Sequence, residues 1–96
     1  MVVLGIDPSF TASGYAIMIQ QANKQQLIHF GYLNLPSDQK LSDRIGLFYN
    51  SFQNLIVKYQ ITRISLETPF LGKNTQIFLK LGYLRGVLHL LAHQNN

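Results

Sequence analysis

The sequence predicts an α/β domain with the element order β-β-β-α-β-α, and three observations carry that prediction. Two short apolar runs, Val2–Asp7 and Arg63–Thr68, each stop at a proline, Pro8 and Pro69. A residue before proline is pushed toward extended backbone, so each proline marks a strand exit. Between the two runs, Leu41, Ile45, Phe48, Phe52, Leu55, Ile56 and Tyr59 recur at three- and four-residue spacing, which is the apolar stripe of a helix. A second stripe, Ile77, Phe78, Leu81, Leu84, Leu88 and Leu91, follows the second run.

Taken in order, Val2–Asp7 is β-branched, short and buried in character, so it reads as the first strand. Gly14–Gln20 reads as the second, Gln21–Gln25 as a polar turn around Asn23, and Gln26–Leu35 as the third. Short links between three strands predict an antiparallel meander. Pro36–Lys40 is a polar loop before the first helix, in which Gly46 and Asn50 are weak helix formers. A helix between the third and fourth strands permits a right-handed crossover, which sets the fourth strand parallel to the first. A loop then runs through Lys73, and Asn74 is the natural N-cap of the second helix. Gly86 to Asn96 is uncharged and still helical in character, and the fourth strand would keep an open apolar edge. The expected architecture is therefore a single domain over residues 1–96 that stops short of a last strand and further helices.

Composition narrows the function. Ninety-six residues with 47% hydrophobic side chains make one globular core. There are no cysteines, which excludes a disulfide framework or thiolate metal site and suits a reducing, cytoplasmic setting. No basic residue precedes Asp7, so the start does not read as a secretory signal, and the uncharged stretch from Pro8 to Asn23 is too polar for a membrane span. Net charge is +4, which permits a phosphate-backbone partner without requiring one.

Only four side chains are acidic, and two of them, Asp7 and Glu67, stand where strands end. A carboxylate at the end of a buried strand is costly unless it is paired or holds a metal. With the two strands parallel and adjacent, the two acids would lie side by side at the carboxyl edge of the sheet, where open α/β sheets collect ligands. Two acids there suit one hard cation; the alternative is a solvated carboxylate at each strand end.

Four segments in register carry a family resemblance: Gly5-Ile6-Asp7-Pro8-Ser9 with Ser13-Gly14-Tyr15, then Leu66-Glu67-Thr68-Pro69-Phe70, then Lys73-Asn74, then Lys80-Leu81-Gly82-Tyr83-Leu84-Arg85-Gly86-Val87. Their combination resembles the RuvC-type Holliday-junction resolvases, over almost the whole chain. The resemblance implies a ribonuclease H-like fold and a homodimer that binds four-way DNA junctions and nicks two strands symmetrically. It also implies Mg²⁺ as cofactor, with Mn²⁺ able to substitute, and branch-migration proteins as partners. Asp7 and Glu67 match the first two of four metal-site positions. The other two lie on a later helix in the family, so these residues alone are expected not to cleave. Ser9 stands where the family often has glycine, although serine also occurs there.

The same resemblance marks Phe70 as a DNA-stacking aromatic; the competing reading is a core phenylalanine under its loop. Lys73, Asn74 and Lys80 are the further DNA-contact candidates, against ordinary solvated positions. Arg85 reads as structural. Gly82 and Gly86 share a helix face that another helix or a sister subunit can approach. His89 and His93 have metal-ligand spacing but no third ligand in the sequence pattern, and read as a partly exposed face. Two other functions stay open: a sugar-kinase or actin-type ATP-binding lobe, for which Ser9-Phe10-Thr11-Ala12 is a poor phosphate loop, and a non-catalytic nucleic-acid-binding module of the same fold.

Overall fold

The computed structural model describes residues 1–66 and 74–95. Four strands form one sheet in the order β3-β2-β1-β4, with β1 at Val2–Asp7, β2 at Ala12–Gln21, β3 at Lys24–Asn34 and β4 at Arg63–Leu66. β1 pairs antiparallel with β2 and parallel with β4. Helices α1 (Leu41–Tyr59) and α2 (Thr75–Asn95) complete the predicted order.

The hairpin is longer than the sequence suggests. β2 starts two residues before Gly14 and β3 starts at Lys24, so the connection shrinks to Ala22 and Asn23, with Ala22 at φ 50°. Gln20, Gln21, Lys24 and Gln25 pair through their backbones at the solvent end of the hairpin, where no apolar side chain marks a strand. A bulge between Ile17 and Met18 leaves Ile28 without a partner. Leu35 falls outside β3 but is buried, and its N–H donates to the Thr11 carbonyl at 2.9 Å.

Side chains alternate across a strand, so Leu4 and Ile6 of β1 share a face with Ile17 and Tyr15 opposite them. That face receives Phe48, Phe52 and Ile56 of α1 and Leu84, Leu88 and Leu91 of α2, in one cluster. The stripe predicted for α2 holds from Leu84 to Leu91 but not at Ile77, which is 57% exposed. The opposite face presents Gly5, Asp7, Gly14 and Ala16, flanked by Phe30 and Tyr32 at 66% and 74% exposure.

α1 ends in a Schellman motif: Gln60 is left-handed at φ 53°, its N–H reaches the Val57 carbonyl, and the Ile61 N–H reaches Ile56. A left-handed side chain other than glycine is strained by roughly 1 kcal/mol. Gln60→Gly is therefore expected to stabilise the fold by about 0.5–1 kcal/mol, read as a rise of a few degrees in the thermal midpoint; a lower midpoint would contradict the strain argument.

Candidate metal and nucleic-acid site

Asp7 is the last residue of β1, and its partner Gly14 is the last rung of the β1–β2 ladder. The carboxylate-bearing residue is exposed, on the sheet face away from both helices. Gly14 leaves room beside it: a Cβ there would stand 3.5 Å from the Tyr32 ring. Together with Gly5, Ala16 and Ser65, Asp7 lines a shallow depression on this face. An exposed carboxylate oxygen among small residues suits a hard divalent cation that retains water.

On the other side of β1, Ile6 pairs with Leu66, the last described residue of β4. The parallel register expected from the crossover is thus present up to the residue before Glu67. Glu67, Phe70 and Lys73 lie outside the described residues. Among the described residues, no group of three His, Asp or Glu side chains gathers to hold a metal. His89 and His93 both stand exposed on α2. Asp38 occupies the turn before α1 and Asp43 its first turn, and both are exposed.

Asn74 acts as the N-cap of α2. Its Oδ1 accepts the N–H groups of Gln76 at 3.1 Å and Ile77 at 3.2 Å. α2 runs antiparallel to β4: Ala92 and Asn95 neighbour Arg63 and Ile64, whereas Arg85 and Leu88 neighbour Leu66. The first turns of α2, with exposed Lys80, therefore project beyond the carboxyl end of the sheet, the end that carries Asp7. At about 1.5 Å per residue, Lys80 stands roughly 7 Å further along the helix axis than Arg85.

The turn after Asp7 is built from serines. The Ser9 N–H donates to Ser13 Oγ at 2.9 Å, and the Ser13 hydroxyl, fully buried, donates back to the Ser9 carbonyl at 3.0 Å. The Thr11 N–H donates to Ser9 Oγ at 3.1 Å. Arg44, from the first turns of α1, donates through Nη2 to the Phe10 carbonyl. Sequence reasoning assigned no role to Arg44. Its signal was an arginine at a core-facing position, three residues after Leu41 and four before Phe48.

The chain is also similar to known proteins. The family model described as crossover junction endodeoxyribonuclease RuvC matches residues 3–96. A curated protein of that name from Prosthecochloris aestuarii is 36% identical over 92 residues, covering 96% of this chain and 49% of its own. One from Halothermothrix orenii is 35% identical over 94 residues, covering 98% of this chain and 57% of its own. Among solved structures, the T. thermophilus RuvC in complex with Holliday junction substrate superposes with a TM-score of 0.88 at 20% identity, covering 99% of this chain and 59% of that one. That likeness establishes the ribonuclease H-like mixed sheet. The chain spans about half to three-fifths of the length of these relatives. On the family match across nearly all of its residues, the chain belongs to the crossover junction endodeoxyribonuclease RuvC family.

Proposed function

We propose that this chain forms the nucleotide-cleaving sheet of a metal-dependent endonuclease acting on four-way DNA junctions, with Asp7 and Glu67 as metal ligands. The observation that supports it most is the placement of Asp7, exposed at the carboxyl end of β1 with β4 running parallel beside it in a chain of this family. Mg²⁺ is the proposed cofactor, with Mn²⁺ as substitute. When bound, paired divalent ions supply a positioned hydroxide and relieve charge on the leaving oxygen of a phosphodiester.

The chain's own groups then have separate tasks. Asp7 fixes one side of the cation site from a rigid strand end. Lys73 and Lys80 contact phosphates as point charges, and the side-chain N–H₂ of Asn74 stays available to a phosphate while its oxygen caps α2. Phe70 stacks on an unpaired base at the junction. A homodimer is the proposed assembly: α2 keeps Ile77, Leu79, Tyr83 and Leu90 exposed, and Gly82 and Gly86 open onto empty space. Branch-migration proteins are the proposed partners, in the cytoplasm; among the described residues no helix is long and apolar enough to cross a membrane.

The test is cleavage of a four-way junction in Mg²⁺ by a chain of the relatives' length that carries these 96 residues. Paired symmetric nicks, absent on linear duplex, are expected; the 96 residues alone should give none if the resemblance holds, since Asp7 and Glu67 match two of the four metal-site positions it implies. Equal cutting of linear duplex would overturn junction selectivity, and ATP binding would favour the phosphotransferase lobe. Lys73→Ala is expected to lower the slope of log affinity against log salt by about one, as loss of one phosphate contact does. An unchanged slope in a salt titration of junction binding would remove Lys73 from the interface.

A further inference from the structure

Asp7 sits on the last rung of its ladder, so strand pairing alone does not hold the turn that leaves it. The chain from Pro8 to Thr11 makes no ladder bonds with β1 or β2 partners. It is held instead at three points. Ser13 closes it from within through Ser9, and Leu35 ties Thr11 to the end of β3. The third point is Arg44. One amino group, Nη2, donates both to the Phe10 carbonyl and, at 3.4 Å, to the Leu35 carbonyl. The guanidinium carbon also lies 5.1 Å from the centre of the Phe10 ring. A single side chain thus joins α1, the turn behind Asp7 and the β3 exit.

The arrangement carries a cost as well as a gain. Arg44 Nε is buried without a hydrogen-bond partner. A buried unpaired donor is penalised; an apolar side chain of similar length would avoid that penalty but leave the Phe10 and Leu35 carbonyls without their donor. What an apolar side chain lacks is the donor group that fixes two carbonyls in one geometry.

We propose that Arg44 is a positioning residue: by holding the Phe10 carbonyl it fixes the turn behind Asp7, and so the orientation of the Asp7 carboxylate toward its cation. This rests on the reading of Asp7 as a metal ligand. Groups that orient a ligand from behind commonly matter to metal affinity by about 10- to 100-fold. Arg44 acts here through the backbone rather than by touching the carboxylate.

The experiment is Mn²⁺ titration of the protein, monitored by water-proton relaxation at a temperature well below the unfolding midpoint. Arg44→Met, which keeps the packing of the stem, is expected to raise the Kd by about tenfold. Arg44→Lys, which keeps the charge and one donor, should fall between the two. In an Asp7→Asn background, Arg44→Met should change nothing further, because the effect passes through Asp7. A merely structural Arg44 would lower the unfolding midpoint and leave the Kd of the folded protein unchanged, and that result overturns the proposal. So does an equal effect of Arg44→Met with and without Asp7. If Arg44→Met does not fold, Arg44→Lys against wild type decides in the same way. Equal Mn²⁺ binding by wild type and Asp7→Asn would instead sink the ligand reading, and this proposal with it; binding that needs Asp7 but ignores Arg44 sinks the proposal alone.

Discussion

Asp7→Asn is expected to abolish junction cleavage by a chain of the relatives' length while leaving its affinity for the junction within about twofold. The substitution preserves shape and removes only a charge and a metal-binding oxygen. Loss of several kcal/mol of charge stabilisation at the reacting phosphate corresponds to a rate loss on the order of 10³-fold. The basic residues proposed to hold DNA are untouched. Asp7 is exposed at the end of its strand, so its replacement should move stability by no more than about 0.5 kcal/mol. Cleavage is measured on a labelled four-way junction in Mg²⁺, and binding by gel shift without divalent metal. A variant that cuts at the wild-type rate would take Asp7 out of the site; one that no longer binds would show that it acts in DNA recognition.

Asp7 is legible from sequence and Arg44 is not, because the two leave different kinds of signal. Pro8 ends an apolar run immediately after Asp7, which marks the acid as a strand end; the run reads as buried throughout, so the exposure of Asp7 on the face away from both helices comes from the structure. The α1 stripe is clearer because most of that helix's apolar side chains fall on one side, exposed Val57 excepted, and Phe48, Phe52 and Ile56 are buried. α2 is apolar nearly all round, with Ile77, Leu79, Tyr83 and Leu90 exposed, so periodicity places the helix but misassigns Ile77. The ends of the β2–β3 hairpin escape sequence reading because Gln21, Lys24 and Gln25 pair by backbone only. Ser13 and Arg44 act on carbonyls and amides close in space but up to 34 residues apart in sequence, and no spacing rule reports such contacts. Glu67 is marked in the sequence by Pro69 as Asp7 is by Pro8, whereas the stacking role proposed for Phe70 comes from family resemblance.

Phe52→Ala carries the largest stability effect expected of a single change. Phe52 is fully buried at the centre of the helix–sheet interface, with ring centroids 4.8 Å from Phe48 and 5.7 Å from Tyr15, both edge-on. Tyr15 in turn hydrogen-bonds His29 Nε2 at 3.0 Å, and His29 stacks on Tyr59 at 5.4 Å. Removing the Phe52 ring opens a cavity and frees Tyr15, the first member of that chain, from its packing partner. Such truncations cost about 3–5 kcal/mol. A domain of this length is stable by about 5–15 kcal/mol in total, so the variant should be marginal, with a midpoint lower by about 15–30 °C. Phe52→Leu, which keeps most of the volume, should cost no more than about half as much. The control is Phe30→Ala on the opposite sheet face. Phe30 is 66% exposed, and its loss should stay within about 1 kcal/mol. Urea unfolding with an unchanged m value measures all three. If Phe30→Ala proved as damaging as Phe52→Ala, the face that carries Asp7 would have to be covered in solution, and the one-sided core would be the wrong description. If Phe52→Ala cost less than about 1 kcal/mol, the packing of α1 on the sheet would not be what holds Asp7 in place.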